Sequence, residues 1–556
     1  MNASMTEEIN EKAYRRRWAI LVVLCVSLLI IVLDNSILNV AIPTLIRELS
    51  ATNSQVQWMV DSYTLVFAGL LLTMGAMGDR YGRRGALQMG YVLFGLGSVA
   101  SAFATSADQL IATRAFMGIG GALIMPATLS IITNVFPPQE RGKAIGVWAG
   151  TAGIGVALGP LTGGFLLAHF YWGSIFLVNI PIVVFGLIAG FLLIPTSKDP
   201  SAPKLDPVGA AVSVGALTAI VYALIEAPDR GWTAPLTLGV LGGGLALAAV
   251  FIWWEQRSDH PMLDVSFFRN PRFSAANAAI TLTFFAMFGS IFLLTQYLQF
   301  TLGYSPLESG VRMLPDAGTM MVVAPLSSKV VDRFGSKRTI ATGLGLAAIA
   351  LVLMGSLSVD TQYIDIAWRF VILAAGMALV MAPATDSVMG SVPLAKAGVG
   401  SAVNDTTRQV GGALGVAIIG SIVSSVYGSK VGDFFAGKQA PKAAVDAAKN
   451  SLGGAIGVSK SLAGQPIPNA KQLAAGLVDT ANQAFVEAFR WGTRVGAVVL
   501  ALGVIIVLRW LPARADQAHI DAQTKDHADS KVEPVQPVQP VEPVDAVGAA
   551  PEPVRP

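Results

Sequence analysis

Three ionisable side chains stand where a water-soluble protein has no need of them. Asp34 lies inside the apolar run Trp18–Pro43, within VLDNSILNVAIP, Asp61 follows in WMVDSYTL, and Arg114 sits in a later apolar stretch. On insertion scales a carboxylate or guanidinium at the centre of a membrane helix costs about 2.5–3.5 kcal/mol, so each of these groups calls for a compensating role. Asp34 has no basic residue one helical turn away, so its partner must come from another helix. Arg114 lies at a depth similar to that of Asp34 and Asp61 in its own helix. A guanidinium that never loses its charge seeks carboxylates when buried. Asp34 and Arg114 are therefore expected to share a polar network. Two chemistries are open to it: a permanently bonded structural pair, or an acid that alternates between a proton and a positively charged cargo. Asp61 is either a second such acid in an outer vestibule or a solvated carboxylate near the start of its helix.

The second half of the chain adds Asp316 in RMLPDAG, Asp386 in PATDS, and Asn404 with Asp405 in AVNDTTRQ. Each is a candidate to line a cavity and attract cations. Local pairing is the alternative, Arg312 with Asp316 at i,i+4 and Arg408 with Asp405 at i,i+3, while Asp386 could be a polar contact after the break at Pro383. Trp58, Tyr63, Phe284, Phe285, Phe288 and Phe292 offer ring faces to flat cations, or else serve packing. There is no phosphate-binding glycine loop, no zinc-ligand spacing and no nucleophile elbow, and the four histidines fall in loops or the tail. An enzyme is not expected, nor any metal or other cofactor.

These residues must be positioned by membrane helices. Of 556 residues 53% are hydrophobic and only 13% charged, against about 25% charged in soluble domains. The all-α, polytopic reading follows, with apolar runs for fourteen spans, each of roughly 20 residues or more. A net charge of +3 gives no reason to expect nucleic acid, and the lone Cys25 allows no disulfide within the chain. Arg80, Arg83, Arg84, Arg141, Lys143, Lys198, Arg257, Arg269, Lys329, Arg333, Lys337 and Lys396 fall in alternate loops, while the other loops offer little besides Arg47 and Arg230. The positive-inside rule then puts both termini in the cytoplasm. The organisation expected is an N-terminal tail (1–17), six helices (18–195), a two-helix central insertion (196–271) and six further helices (272–511). The last two helices are separated by a long external loop, about 429–484, built of short amphipathic helices or of irregular chain. Residues 512–556 carry VEPVQPVQPVEPV, a Pro-Val repeat that should stay extended.

The two sets of six helices echo each other. GAMGDRYGRRGAL (75–87) is matched by SKVVDRFGSKRTI (328–340), and ALIMPATLSIITNVFP (122–137) by ALVMAPATDSVMGSVP (378–393), with Arg114 and Arg369 aligned upstream. Repeated helical halves with a site between them at mid-membrane are the plan of secondary transporters. In the first loop Gly78 and Gly82 permit a tight turn, Asp79 can bind a helix end or a base, and Arg80, Arg83 and Arg84 supply charge-assisted bonds for a gate. Asp332 and Arg333 repeat the pattern. On helical spacing Gly155, Gly159 and Gly163 make one bare face, and Pro160 bends the rod beside it.

Taken together, the loop 75–87, the first-helix stretch Val32–Pro43, Arg114 with Gly118, and GVALGPLTGG with its Gly155, Gly159, Pro160, Gly163 and Gly164 resemble the motifs of the major facilitator superfamily, specifically its fourteen-helix drug:proton antiporter branch. The resemblance implies two pseudo-symmetric six-helix halves plus two central helices, in the cytoplasmic membrane of a bacterium. It further implies that the 75–87 loop gates, that Asp34 and Arg114 serve coupling, and that GVALGPLTGG marks an exporter. Proton-coupled export of lipophilic, cationic drugs or antiseptics is the function expected, by a monomer whose partners are those substrates, protons and lipid. The alternatives are export of an endogenous metabolite, antibiotic or lipid, and a membrane sensor that binds without transport.

Overall fold

The computed structural model describes residues 14–198, 206–258, 261, 263, 265–392, 397–438, 440–464 and 469–512. Lys396 and the Pro-Val tail fall outside them. The described chain is helical throughout. The first seven helices are α1 (Arg17–Leu49), α2 (Asn53–Tyr81), α3 (Arg83–Ala102), α4 (Ala107–Val135), α5 (Pro138–His169), the short α6 (Ser174–Leu177) and α7 (Asn179–Leu193). A central pair follows, α8 (Pro207–Arg230) and α9 (Pro235–Glu255). The second half is α10 (Pro271–Gln296), the short α11 (Pro306–Arg312), α12 (Leu314–Phe334), α13 (Ser336–Met354), α14 (Tyr363–Met389) and α15 (Ala397–Phe435), then α16 (Lys442–Asn450), α17 (Leu452–Ala463) and α18 (Ala470–Trp510). Among the described residues twelve helical segments are long and apolar enough to cross a membrane. The two further spans expected from the sequence correspond to α5 and α12, which lie outside that count.

Helix pairing repeats between the halves. In the first, α1 packs on α5, α2 on α4, and α3 on both α4 and α7. In the second, α10 packs on α15, α12 on α14, and α13 on both α14 and α18. Of the central pair, α8 wedges between α2 and α15, while α9 leans on α8 and leaves most of its apolar surface bare, as suits a lipid-facing helix.

The repeated D-R-(Tyr/Phe)-G turns share a backbone form. Gly82 (φ +136°) and Gly335 (φ +80°) each hold a conformation that disfavours any side chain, and each closes the preceding helix by donating its N–H to Gly78 or Val331. Nothing lies within 4 Å of where a Gly82 Cβ would stand, so strain alone decides its substitution. Gly82→Ala is expected to destabilise by about 1–3 kcal/mol, whereas Gly85→Ala, in α3 with equally open space, should be neutral or slightly stabilising. Thermal denaturation of the two variants in one detergent checks the difference.

Two stretches depart from the sequence reading. The single span expected near 306–328 is broken at Met313 into α11 and α12. A capping box starts α11, with Glu308 N–H donating to Ser305 Oγ (3.2 Å) and Ser305 N–H to the Glu308 carboxylate (2.9 Å). Those bonds, the backbone one first, hold the Glu308 carboxyl below its ordinary range. A carboxyl lowered on folding stabilises above its unfolded value and loses that contribution as pH falls through the folded one. Amide exchange in α11 should therefore quicken under acid, and Glu308→Gln, which removes the titrating carboxyl, should abolish that pH dependence. The second departure is the extent of the long loop, because helices α15 and α18 run well into it. Between them the first of its two expected forms holds, short helices, present as the α16–α17 hairpin. Tyr427 donates its hydroxyl to the Ala448 carbonyl (3.1 Å), and Lys430 pairs with Glu487 (3.1 Å).

Candidate functional site

Asp34 and Arg114 meet inside the first half, at relative exposures of 2% and 0%. Arg114 Nη1 bonds Asp34 Oδ2, Nε donates to the Met59 carbonyl at 3.2 Å, and Nη2 lies 3.5 Å from Asn35 Oδ1. The Tyr63 ring carries the guanidinium on its face, 4.4 Å from the centroid. The other carboxylate oxygen, Asp34 Oδ1, accepts from Asn179 Nδ2 at 2.9 Å, and the same amide donates to Ser98 Oγ at 3.2 Å. Helices α1, α2, α3, α4 and α7 all contribute to it. Every bond on Asp34 comes from a donor.

Asp61 is also sealed from water, at 0% exposure, so the solvated alternative does not hold. Neither of its oxygens has a hydrogen-bond partner among the described residues. Its helical neighbours at i−4 and i+4 define the face it occupies. Gln57 accepts from Ser421 (3.4 Å), and Leu65 packs with Val221, Ile225, Ala413 and Ala417. Asp61 thus lies along the seam of α2, α8 and α15, where Trp58 tilts against Tyr222 (6.1 Å between centroids).

The second-half candidates are dispersed. Asp405 and Asn404 are buried on α15, and the i,i+3 pair forms, with Arg408 Nη1 at 3.7 Å from Asp405. Arg408 also donates to Thr385 (2.9 Å) and lies over Phe284 (5.5 Å), whose ring stacks on Phe288 (6.0 Å). The alternative pairing of Arg312 with Asp316 fails. Arg312 turns back to Glu308 (3.8 Å), because the break at Met313 separates it from the helix that carries Asp316. Asp316 is half-buried, and Asp386, Asp332 and Arg333 are exposed. The aligned arginines also diverge. Arg369 bonds the Asp365 carbonyl (3.0 Å) and Ser356 (3.2 Å) near the start of its helix and meets no buried acid among the described residues.

Of the gating candidates, Asp79, Arg83 and Arg84 bond within the first half. Asp79 accepts from Arg83 (2.7 Å) and from Ser130 on α4 (2.6 Å), and Arg84 reaches the Ile194 carbonyl (3.3 Å) and the Phe191 ring (5.3 Å). Bonds that join the halves lie at the opposite end, where the α16–α17 hairpin sits. Gln299 donates to the Val40 carbonyl (2.8 Å), and a Cβ on Gly453 of α17 would come 2.7 Å from Ile46 and 3.0 Å from Phe300.

The bare face of α5 is the closest of these contacts. A Cβ on Gly155 would stand 2.9 Å from Val32, one on Gly159 would overlap the Ser36 side chain, and one on Gly163 would come 3.2 Å from Ile37. On the far side Gly164 approaches the Leu307 backbone (2.6 Å from such a Cβ), and Gly310 of α11 abuts the Pro160 carbonyl. One helix therefore meets both α1 of its own half and α11 of the other with almost no side chain between.

Sequence reasoning missed Asn179. A neutral amide in VNIPIVVFG carries no charge penalty to flag it. The one usable signal was Pro181, which cannot donate to the carbonyl four residues back and so marks a helix start beside the amide. Among the described residues no group of three or more His, Cys, Asp or Glu is placed to hold a metal ion.

Comparison with known proteins places this geometry. Residues 24–416 match the Major Facilitator Superfamily. The chain is 36% identical to the multidrug efflux pump LfrA of Mycolicibacterium smegmatis, over 89% of this chain and 96% of that protein. It is 35% identical to the tetracenomycin C resistance and export protein of Streptomyces glaucescens (76% and 78% covered) and 34% identical to the methyl viologen resistance protein SmvA of Salmonella typhimurium (85% and 93%). Among solved structures it superposes on an inward-facing bacterial homologue of the human lysosomal transporter Spinster, with a TM-score of 0.61, 18% identity, and 90% and 99% of the two chains covered.

Proposed function

The chain belongs to the Major Facilitator Superfamily and is a membrane transporter rather than an enzyme; from that premise we propose that it is a fourteen-helix, proton-coupled antiporter that exports lipophilic, cationic drugs by alternating access. The observation that carries the reading is the buried Asp34, held by one guanidinium and one amide at the meeting of five helices. One negative group shielded from water serves two positive visitors badly at the same time. Proton binding and cargo binding then oppose each other, which is the requirement for exchange. Relatives named for multidrug efflux and for resistance to methyl viologen support the cargo class.

With both termini cytoplasmic, the α16–α17 hairpin lies outside, and the closed contact of α5 with α11 seals the outer mouth. The conformation is then inward-facing, in agreement with Asp79 and Arg83 of the 75–87 loop bonding within one half. Moving one charge across the membrane potential is worth about 2.3 kcal/mol per 100 mV. Export of a monovalent cation against that field needs more than one proton per cycle, so a second acid takes part, Asp61 or Asp405.

Export of an endogenous product is the second reading, favoured by the likeness to a protein named for tetracenomycin C export. In that case the acids serve protons alone. Uptake into inverted vesicles, measured across mono- and divalent cations and neutral compounds of similar size, separates the two. Competition between cargo and protons should grow with positive charge under the first reading and be absent under the second. Uptake that survives an uncoupler would overturn both.

A further inference from the structure

The residues that bond Asp34 differ in what they can offer. Arg114 is a donor in every state, whereas Asn179 carries a donor and an acceptor on one pivot. Its Nδ2 spends both hydrogens, on Asp34 Oδ1 (2.9 Å) and on Ser98 Oγ (3.2 Å). Its Oδ1 is buried and has no hydrogen-bond partner among the described residues. A buried amide oxygen left unpaired costs about 1–3 kcal/mol, so its persistence asks for a state in which it is used. Asp34 supplies that state. Once protonated, its carboxyl is itself a donor and needs an acceptor, which neither Arg114 nor an amide N–H can provide.

We propose that Asn179 is a positioning residue whose amide turns over with the protonation of Asp34, so that Nδ2 donates to the carboxylate and Oδ1 accepts from the carboxylic acid. Half a turn about the terminal torsion of the side chain exchanges the two atoms with little displacement, since such torsions are roughly two-fold. Asn179 stands at the first position of α7, directly after the break at Val178. Of titratable groups, Arg114 from α4 faces Asp34 directly and Tyr63 from α2 lies beneath that guanidinium. The neighbouring stretches 155–164 of α5 and 179–193 of α7, and all of α6, contain none, and α10 has only Arg272 in its first turn. In the turned state Ser98 loses its donor from Asn179, which links α3 to the protonation of a residue on α1.

The inference rests on the reading that Asp34 takes the proton, and one experiment separates the two. Infrared difference spectra, acid minus alkaline, are recorded on the full-length protein in lipid, for wild type, Asp34→Asn, Asn179→Leu and Asn179→Asp. The expected wild-type spectrum has a protonated-carboxyl band and a pair of side-chain amide bands, the acid member at lower wavenumber because the amide oxygen has gained a bond. Both features should vanish in Asp34→Asn. Asn179→Leu should keep a carboxyl band for Asp34, shifted, and lose the amide pair, while Asn179→Asp should lose the pair and add a carboxyl band of its own. A carboxyl band lost in Asp34→Asn, together with an amide pair that is absent in wild type or persists in both Asn179 variants, would overturn the inference and leave the role of Asp34 standing. A spectrum unchanged in Asp34→Asn would remove both.

Discussion

Arg114→Ala should destabilise the protein by about 3–5 kcal/mol, because it leaves a buried carboxylate without its counter-charge. Four contacts go with the guanidinium: the bond to Asp34, the bond to the Met59 carbonyl, the 3.5 Å approach to Asn35 and the stack on Tyr63. The partner chemistry explains why a lysine is a poor substitute. An ammonium can reach one acceptor as a point charge, but it cannot span an acid on α1 and a carbonyl on α2 with one planar group. The melting temperature in detergent reads the effect, and the variant Asp34→Leu/Arg114→Leu supplies the control. Replacing both members of a buried pair with apolar groups is often close to neutral for stability. The double variant is therefore expected to recover more than half of the lost melting temperature while transporting nothing. A single Arg114→Ala variant as stable as wild type would show that Asp34 is not charged in this conformation.

The second large effect is expected at Gly164, where α5 meets α11 of the other half. A valine there needs space that the Leu307 backbone occupies, and Gly310 of the same short helix already abuts the Pro160 carbonyl. Neither backbone can yield without moving a helix. Overpacking of this kind costs about 1–3 kcal/mol, and the cost falls on the closed arrangement of the hairpin end. A bias of 1.4 kcal/mol is about tenfold in population, so Gly164→Val should shift the protein strongly toward the open outer mouth. Spin labels at Phe103 and Asp360, on the hairpin-end loops of the two halves, should report a longer distance in the variant. Transport should fall at least tenfold with substrate still bound. Unchanged distances would mean that the contact is ordinary packing.

The sequence discloses the parts of this protein that physics makes expensive. Apolar runs, alternate basic loops and the paired D-R-(Tyr/Phe)-G turns all leave a compositional trace, and the helices and positive-φ glycines stand where those traces point. The Asp34–Arg114 pair was legible for the same reason, since two buried opposite charges have few alternatives to meeting. Neutral and local choices were less visible. Asn179 costs little to bury and has no diagnostic spacing. The burial of Asp61 depends on α8 filling the seam between α2 and α15, a tertiary fact. The break at Met313, which turned Arg312 toward Glu308, follows from the closely spaced prolines Pro306 and Pro315, each of which favours a helix start. The asymmetry between Arg114 and Arg369 was hidden because aligned residues in a repeat need not keep aligned partners.

The central claim is that one carboxylate is contested by a proton and a cargo. Proton release on substrate addition, followed with a pH indicator on purified protein in lightly buffered detergent, tests it most directly. Wild type should release protons when a lipophilic cation is added, and Asp34→Asn should release fewer or none while remaining folded. Equal proton release from the two proteins would contradict the account.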